Sequence, residues 1–259
     1  MTSPIVSVVV PAYNEAKRIR ATLERIKSYF TERNEPVEIL VVDDGSTDDT
    51  IAVARGVGDP VRVIEQGRNL GKGAAVRSGV LESRAPMILF TDADLSTPIE
   101  QWEPIRAKLD DGFDVVVGSR ALVDSQIEIR QPWYRERMGK TFNWIMRLVL
   151  RLELKDTQCG FKLFERSAGR ELFGRARIDG FAFDAEILFL ATRLGYRIGE
   201  LPVPWFDSLP SRVDTVRHSG QMLKDVMRIR LLAASGAYET VSSTTRRQEP
   251  EEMTRSDAK

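Results

Sequence analysis

The sequence predicts an α/β fold in which helices cover both faces of a mostly parallel central sheet. Two observations lead to this prediction. In the first half of the chain, short runs rich in valine, isoleucine and leucine alternate with segments that show helical three- and four-residue spacing. The runs are also almost continuously apolar, which is typical of parallel strands buried on both faces.

Five strands and four helices are expected in the first half. The strands are predicted at residues 5–10, 37–43, 61–65, 87–92 and 115–119. The helices are predicted at residues 16–29, 48–55, 73–83 and 99–109. Because a helix separates most consecutive strands, we expect the strands to run parallel.

The second half is interpreted as completing the same domain. Apolar residues at helical spacing predict helices at 138–154, 183–194 and 222–232, and a late strand is expected at 196–203. The last 18 residues, 242–259, contain eight charged residues and almost nothing apolar. We therefore predict one domain over residues 1–241 and a disordered polar tail over 242–259.

Composition excludes several classes of function. The 259 residues contain 38 Lys plus Arg and 38 Asp plus Glu, so a general affinity for nucleic acid through bulk positive charge is excluded. Cys159 is the only cysteine and His218 the only histidine, which excludes an internal disulfide, a cysteine-built zinc site and chemistry that needs two imidazoles. No apolar run approaches the ~20 residues of a membrane span, and no signal segment precedes the first strand. A cytoplasmic location is therefore expected.

Polar residues follow the predicted strands at the points where these strands end. In an open parallel sheet, ligands bind at the carboxyl ends of the strands. The residues that collect there are those of segments 11–15, 43–46, 69–73, 92–94 and 118–120. Since acidic, amide and glycine residues gather at one edge of the sheet, the sequence predicts a ligand site there.

Asp92 and Asp94 are the sharpest feature of this edge. At positions i and i+2 of an extended segment, their side chains leave on the same side of the chain. Two such carboxylates suit a hard divalent cation that also binds phosphate oxygens. The alternative is an ordinary turn after a strand, where aspartate is common. The other polar segments at the same edge favour the metal site.

The second strand ends in two further aspartates with two possible roles. Asp43 and Asp44 could cap the helix that begins near Asp48. Asp48 or Ser46 can serve as that cap, which leaves Asp43 to accept hydrogen bonds from a base or a ribose. Residues 67–73 do not match a Walker loop, and no G-x-G-x-x-G follows the first strand. The start of the next helix, at Gly73, could still offer amides to a phosphate, with Lys72 beside it.

Four motifs together resemble glycosyltransferase family 2. They are segments 11–15 (PAYNE), 42–46 (VDDGS), 69–73 (NLGKG) and 91–95 (TDADL). The resemblance implies a GT-A type, Rossmann-like fold and a catalytic domain over residues 1–241. It also implies a nucleotide-diphospho-sugar donor, Mg²⁺ or Mn²⁺ at Asp92 and Asp94, and inversion at the anomeric carbon. The donor-side residues it implies are Pro11, Tyr13, Asn14, Glu15, Asp43, Asp44, Gly71, Lys72, Asp92 and Ala93.

Motifs in the second half narrow the resemblance. Segments 156–162 (DTQCGFK), 181–186 (FAFDAE) and 130–135 (RQPWYR) are similar to the polyprenyl-phosphate sugar synthases, nearest to the dolichyl-phosphate β-glucosyltransferase branch and related to dolichol-phosphate mannose synthases. Cys159 and Ser96 differ from the mannose branch, and Arg212 stands where both branches usually have lysine. The implied reaction transfers a hexose, glucose from UDP-glucose, to polyprenyl or dolichyl phosphate.

A phosphate acceptor changes what catalysis requires. An inverting transfer usually needs a carboxylate base, but a phosphate monoester, with a second pKa of about 6, is already largely an oxyanion at neutral pH. Positive charge beside the donor is needed instead. The candidate acceptor-binding residues are Arg130, Arg135, Lys162, Ser211 and Arg212, and the candidate catalytic residues are Asp94, Arg120, Asp156 and Asp184.

Three of the second-half residues have alternative interpretations. Asp184 could cap a helix, orient arginines near the acceptor or act as the base for a hydroxyl acceptor. Asp156 could bind a sugar hydroxyl or act as the base for a different acceptor. Cys159 is interpreted as a small packed residue, because inversion needs no covalent intermediate.

A membrane surface is the expected meeting place with a lipid acceptor. Residues 120–151 contain seven basic and three acidic side chains, and residues 211–230 contain five and two. Such clusters are often solvated helix faces, but Trp133, Tyr134 and Trp144 among the arginines favour peripheral contact with anionic headgroups on the cytoplasmic side. The alternatives are GDP-mannose as donor, a soluble hydroxyl acceptor, or a catalytically inactive binding protein. The oligomeric state is left open.

Overall fold

A seven-stranded mixed sheet forms the centre of the described part of the chain. The computed structural model describes residues 3–122, 143–206 and 215–239, with backbone only at 215–219. The strands are β1 (Val6–Ala12), β2 (Val37–Asp43), β3 (Val61–Glu65), β4 (Met87–Thr91), β5 (Val115–Ser119), β6 (Phe161–Glu165) and β7 (Ile198–Pro202). Their order is β3-β2-β1-β4-β6-β5-β7, and β6 runs antiparallel to both of its neighbours.

Helices cover both faces of this sheet. They are α1 (Ile19–Glu32), α2 (Thr50–Arg55), α3 (Lys72–Glu82), a 3₁₀ turn (Ile99–Gln101), α4 (Trp102–Asp110), α5 (described over 143–150), α6 (Arg166–Arg175), α7 (Phe183–Arg193) and α8 (Thr215–Ala234). None of the helices in the described ranges combines the length and the apolar character that a bilayer crossing requires.

Two apolar cores lie on opposite faces of the sheet, as the alternation of side chains along a strand dictates. Val8 and Val10 of β1 pack in the core beneath α1 and α4, together with Trp102. Val9 points to the other face and packs in the core formed with α3, α6, α7 and α8. Gly79 lets α3 approach the sheet closely, because a Cβ at this position would collide with Val9. The predicted α/β class with helices on both faces is confirmed.

The structure differs from the prediction at three places. Strand β6 and helix α6 were not predicted, since Lys162 interrupts the apolar pattern of β6 and the strand lies antiparallel in the sheet. The helix expected at 138–154 is helical at 143–150 and ends where Arg151 adopts a left-handed φ of 56°. Residues 138–142 and 240–259 lie outside the described ranges, so the boundary at 241 and the disordered tail stay predictions.

Candidate active site

A cleft of about 450 Å³ opens at the carboxyl edge of the parallel strands. It is lined by nine of the ten residues predicted on the donor side: Pro11, Tyr13, Asn14, Glu15, Asp44, Gly71, Lys72, Asp92 and Ala93. Asp94 lines the same cleft, and so do Arg18 and Phe181, which the sequence analysis did not select. The tenth residue, Asp43, is buried at the end of β2.

Hydrogen bonds tie the loop after β1 to the turn after β2. Asn14 has a left-handed φ of 57°, and its amide donates to Ser46 Oγ at 2.9 Å. The Asn14 side-chain oxygen accepts from the Thr47 amide at 2.8 Å, and the Glu15 amide donates to Thr50 Oγ1 at 2.8 Å. These bonds fix one wall of the cleft before any ligand binds.

Asp43 uses only one of its carboxylate oxygens within the described structure. Oδ2 accepts from the amides of Gly45 and Ser46, while the buried Oδ1 has no hydrogen-bond partner among the described residues. The N-cap position of α2 is Asp49, whose side chain makes no capping bond; of the two expected caps, Asp48 accepts from the Thr50 amide and Ser46 accepts from the Asn14 amide instead. Burying an oxygen without a partner is costly, so Oδ1 has the capacity to accept a hydrogen bond from a ligand.

Asp44 organises the neighbouring loop. Its carboxylate accepts from the amides of Leu70 at 2.7 Å and Gly71 at 3.0 Å, and burial raises its pKa. It does not cap α2, which was one of its two possible roles. Gly71 has a φ of 106°, and a Cβ there would collide with the Asp179 carbonyl. The loop position of Lys72 therefore depends on Asp44 and on the absence of a side chain at Gly71.

Lys72 and Asp92 form an ion pair inside the cleft, with Nζ and Oδ1 2.6 Å apart. Burial lowers the Lys72 pKa, but the charges of Asp92 and Asp184 outweigh this effect and raise it overall. Asp94 Oδ1 accepts from the Ser96 amide at 3.0 Å, and Asp94 Oδ2 lies 3.9 Å from Arg18. At the start of α3, the Ala74 amide donates to the Asp179 carbonyl, so this amide is not available to a phosphate in the structure.

Gly160 packs directly against Asp92. The Asp92 amide donates to the Gly160 carbonyl at 3.2 Å. A Cβ built on Gly160 would overlap the Asp92 carboxylate, and even the farther oxygen, Oδ1, would be only 2.9 Å away. Gly160 belongs to the 156–162 motif, yet its role is visible only once that loop is folded against β4.

A second ion pair is buried beneath the cleft. Lys162 is only 1% exposed, and its Nζ binds Asp184 Oδ1 at 2.5 Å and the Cys159 carbonyl at 2.6 Å. Burial raises the Asp184 pKa, partly offset by Lys162 and Lys72. Asp184 therefore does not cap α7, and among the described residues its ion-pair partner is Lys162 rather than an arginine. Direct contact of Lys162 with an acceptor stays a prediction, and the structure places its charge below the cleft floor.

Asp156 and Arg120 form the third pair, on the far side of Asp92. Arg120 binds the buried carboxylate through its amide, Nε and Nη2 at 2.7 to 3.1 Å, and the Gln158 amide adds a fourth hydrogen bond. Burial alone would raise the Asp156 pKa, but Arg120 and the amides lower it below its usual range. The Arg120 guanidinium also lies 5.6 Å from the Trp205 ring centre. Asp156 is thus an anchor for Arg120 and a weak base.

Cys159 is a packed side chain, as expected. Burial raises the pKa of its thiol to about 11, and its sulfur lies 3.8 Å from Thr97 Oγ1. A thiol with this pKa is protonated at neutral pH and is a poor nucleophile.

The remaining predicted acceptor residues fall outside the described ranges. These are Arg130, Arg135, Ser211 and Arg212, together with Trp133 and Tyr134 of the predicted membrane contact. Their participation stays a prediction. Arg18 carried no signal in the sequence, because only the fold brings α1 to Asp94.

The donor set at Asp92 and Asp94 is compatible with Mg²⁺ or Mn²⁺. No group of three or more histidine, cysteine or acidic side chains that could hold a metal ion is found in the residues that the structure describes. The two carboxylates nevertheless line one cleft and are only partly buried. Mg²⁺ is commonly held by one or two carboxylates with substrate phosphates and water. The residues present therefore fit a cation that shares the diphosphate of a donor.

Comparisons of the sequence with known proteins identify its family. The sequence profile described as Glycosyl transferase family 2 matches residues 7–173. A dolichyl-phosphate β-glucosyltransferase of Dictyostelium discoideum is 35% identical over 251 residues, covering 91% of this chain and 77% of that protein. The enzyme of that description in Homo sapiens is 34% identical over 248 residues, covering 90% and 76%.

Solved structures show the same fold. A glucosyl-3-phosphoglycerate synthase of Mycobacterium tuberculosis, in complex with Mn²⁺ and UDP-glucose, superposes with a TM-score of 0.66 at 23% identity, covering 90% of this chain and 80% of that one. A mannosyl-3-phosphoglycerate synthase of Rubrobacter xylanophilus gives 0.67 at 21% identity, covering 96% and 79%. Together, the sequence and structure comparisons confirm the predicted GT-A fold and the prediction that the chain is a nucleotide-sugar-dependent glycosyltransferase. The chain belongs to glycosyl transferase family 2.

Proposed function

We propose that the enzyme transfers glucose from UDP-glucose to a polyprenyl or dolichyl phosphate, with inversion, at the cytoplasmic surface of a membrane. Relatives named dolichyl-phosphate β-glucosyltransferases, at 34 to 35% identity over about nine tenths of the chain, support this choice of donor sugar and acceptor. The arrangement of charges in and around the cleft supports it independently.

The donor would occupy the cleft at the strand edge. Asp43, buried at the end of β2, is predicted to accept from a ribose hydroxyl or a base N–H, and its Oδ1 has no partner within the described structure. Asp94 and Asp92 would hold Mg²⁺ or Mn²⁺, which supplies positive charge to the leaving diphosphate when it is bound. Lys72, already beside Asp92, adds a second positive charge at the same point.

The observation that carries the choice of acceptor is the state of the two predicted bases. Asp156 accepts four hydrogen bonds and has a lowered pKa, and Asp184 is buried against Lys162. Neither carboxylate is placed to take a proton from a hydroxyl acceptor. A phosphate acceptor needs no such base, because it is already largely ionised at neutral pH. Arg120, partly exposed at the end of β5, provides positive charge for it.

The test is transfer of labelled sugar to a short polyprenyl phosphate in the presence of Mg²⁺ or Mn²⁺. UDP-glucose and GDP-mannose are supplied in separate reactions, and we expect organic-phase label from UDP-glucose alone. Asp94→Ala should lower the rate by about 100- to 1000-fold, since it removes a group that stabilises charge in the transition state. Asp111→Ala, at an exposed position next to the end of α4, is the matched control.

Two results would contradict the proposal. Label from GDP-mannose alone would make the enzyme a mannosyltransferase. Transfer only to a water-soluble hydroxyl acceptor such as 3-phosphoglycerate would exclude the lipid phosphate, and a base would then have to be sought by substituting Asp156 and Asp184.

A further inference from the structure

Helix α8 exposes a row of large apolar side chains. Leu223, Met227 and Leu231 are 41%, 51% and 69% exposed and recur every four residues, which places them along one side of the helix. The opposite side contributes the fully buried Val226 and Ile229 to the core beneath it. A surface helix normally places polar residues on its outer side, so this row requires an explanation.

Helix α5 shows the same feature. Trp144 and Leu148, also four residues apart, are 58% and 63% exposed, while Met146 and Leu150 on the other side are buried in the same core. In the part of the chain that the structure describes, eight large apolar side chains are exposed, and five of them lie on α5 and α8. We call these five residues the exposed apolar face.

Both helices are attached to one loop. The Asn143 side chain donates to the Lys155 carbonyl at 2.6 Å and accepts from Thr157 Oγ1 at 3.0 Å. The Gln158 side chain contacts the Met222 sulfur of α8 at 3.9 Å. The loop at 155–158 therefore connects both parts of the exposed apolar face to the acceptor side of the site.

The same loop bears the residue that holds Arg120. Asp156 lies within it and binds the Arg120 guanidinium through two nitrogens. Arg120 is the basic residue that we place beside the acceptor phosphate. A lipid surface lying on the exposed apolar face would thus lie near the point where a lipid phosphate has to enter.

The charges beside the exposed apolar face match an anionic surface. Arg147 and Arg151 accompany the α5 residues, and Lys224 and Arg228 accompany those of α8. Residues 143–151 contain no acidic side chain, and Asp225, the only acidic residue at 220–238, is buried. Anionic headgroups complement this pattern. A second copy of the chain on this face would bring like charges together.

We propose that the exposed apolar face is a docking surface for membranes that contain anionic lipids. The apolar side chains enter the headgroup boundary and the four basic residues contact the headgroups, which directs the acceptor side of the site towards the bilayer. This inference rests on the proposed function, because it supplies the route by which a lipid phosphate reaches Arg120.

The test compares vesicle binding with catalysis in solution. Wild-type protein should sediment with vesicles of phosphatidylcholine and phosphatidylserine, less with phosphatidylcholine alone, and less at high salt. The double variant Leu223→Glu/Leu231→Glu should bind the anionic vesicles about 100-fold more weakly, since each leucine contributes roughly tenfold through buried apolar area. Leu81→Glu, an exposed leucine of α3 outside this face, is the matched control.

Catalysis separates docking from function. With a short, water-soluble polyprenyl phosphate, the double variant should transfer sugar at the wild-type rate. With a long-chain acceptor in anionic vesicles, the double variant should transfer sugar more slowly than both the wild type and the Leu81→Glu control. Equal vesicle binding by the double variant, the control and the wild type would overturn the docking surface. The docking surface would also be overturned if the wild type formed a dimer that the double variant cannot form and neither protein bound vesicles. A wild-type enzyme that binds vesicles but never uses the short acceptor would overturn the proposed function instead.

Discussion

A single methyl group at Gly160 should disable the active site without unfolding the protein. The Cβ of alanine would overlap the Asp92 carboxylate, with even the farther oxygen at 2.9 Å, whereas ordinary contact begins at 3.4 Å. The carboxylate must therefore retreat by about 1 Å or more, which lengthens its ion pair with Lys72 and would move it away from the cation that we propose binds to Asp92 and Asp94. A misplacement of about 1 Å can cost on the order of 100-fold in rate, and we expect Gly160→Ala to lose about that much.

Two measurements check this expectation. Calorimetric titration with Mn²⁺ and UDP should show weakened binding, and the urea unfolding midpoint should change little, because the displaced carboxylate can move into the open cleft. Gly174→Ala is the matched control, since a Cβ on this α6 glycine meets no atom within 4 Å. A Gly160→Ala enzyme with wild-type rate and wild-type Mn²⁺·UDP affinity would refute the role given to Asp92.

Three further predictions concern the buried groups around the cleft. Lys162→Met should lower the free energy of unfolding by about 3–5 kcal/mol, because it leaves Asp184 buried without its partner. In urea unfolding, the double variant Lys162→Met/Asp184→Leu should recover most of this loss. Equal stability of the single and double variants would contradict the prediction. The lowered pKa of Asp156 contributes stability that is present at neutral pH and is lost as pH falls from about 5 towards the folded-state pKa. Asp156→Asn should therefore flatten the dependence of the thermal unfolding midpoint on pH in the acid range. An unchanged dependence would show that the pair of Asp156 with Arg120 does not cause the loss of stability in acid. Cys159→Ser should retain most of the transfer rate, and near-complete loss of activity in a folded variant would restore a chemical role for the thiol.

The gathering of the predicted donor-side residues in one cleft was predictable, because these residues are local to strand ends. Runs of branched aliphatic residues located β1, β2 and β4, and the carboxyl ends of neighbouring parallel strands necessarily meet. Nine of the ten residues chosen on this basis and from the family resemblance line the cleft. Asp43 lies apart from them, since Gly45 and Ser46 hold its carboxylate beneath the surface.

The part of the site contributed by the second half of the chain was harder to predict, because its contacts join residues that are far apart in sequence and lie on different strands, helices and loops. Lys162 reads as a surface residue in sequence, and only the antiparallel insertion of β6 next to β4 carries it into the core beside Asp184, 22 positions away. Asp156 reads as a free loop carboxylate, and only the fold brings it to Arg120, 36 positions earlier. In each case the partner, rather than the residue itself, determines which chemistry is available.

The charge pairs of the site explain how a donor could bind without disturbing the core. Lys72 and Asp92 have opposite charges and neutralise each other in the cleft, and the buried pair of Lys162 and Asp184 is equally balanced and close enough for Lys72 and Asp184 to interact electrostatically. In the proposed reaction, the diphosphate of the donor carries about two negative charges and a divalent cation two positive ones, so together they add little net charge. Asp92 would then hold the cation and Lys72 the phosphate, and the field at the buried pair would change little.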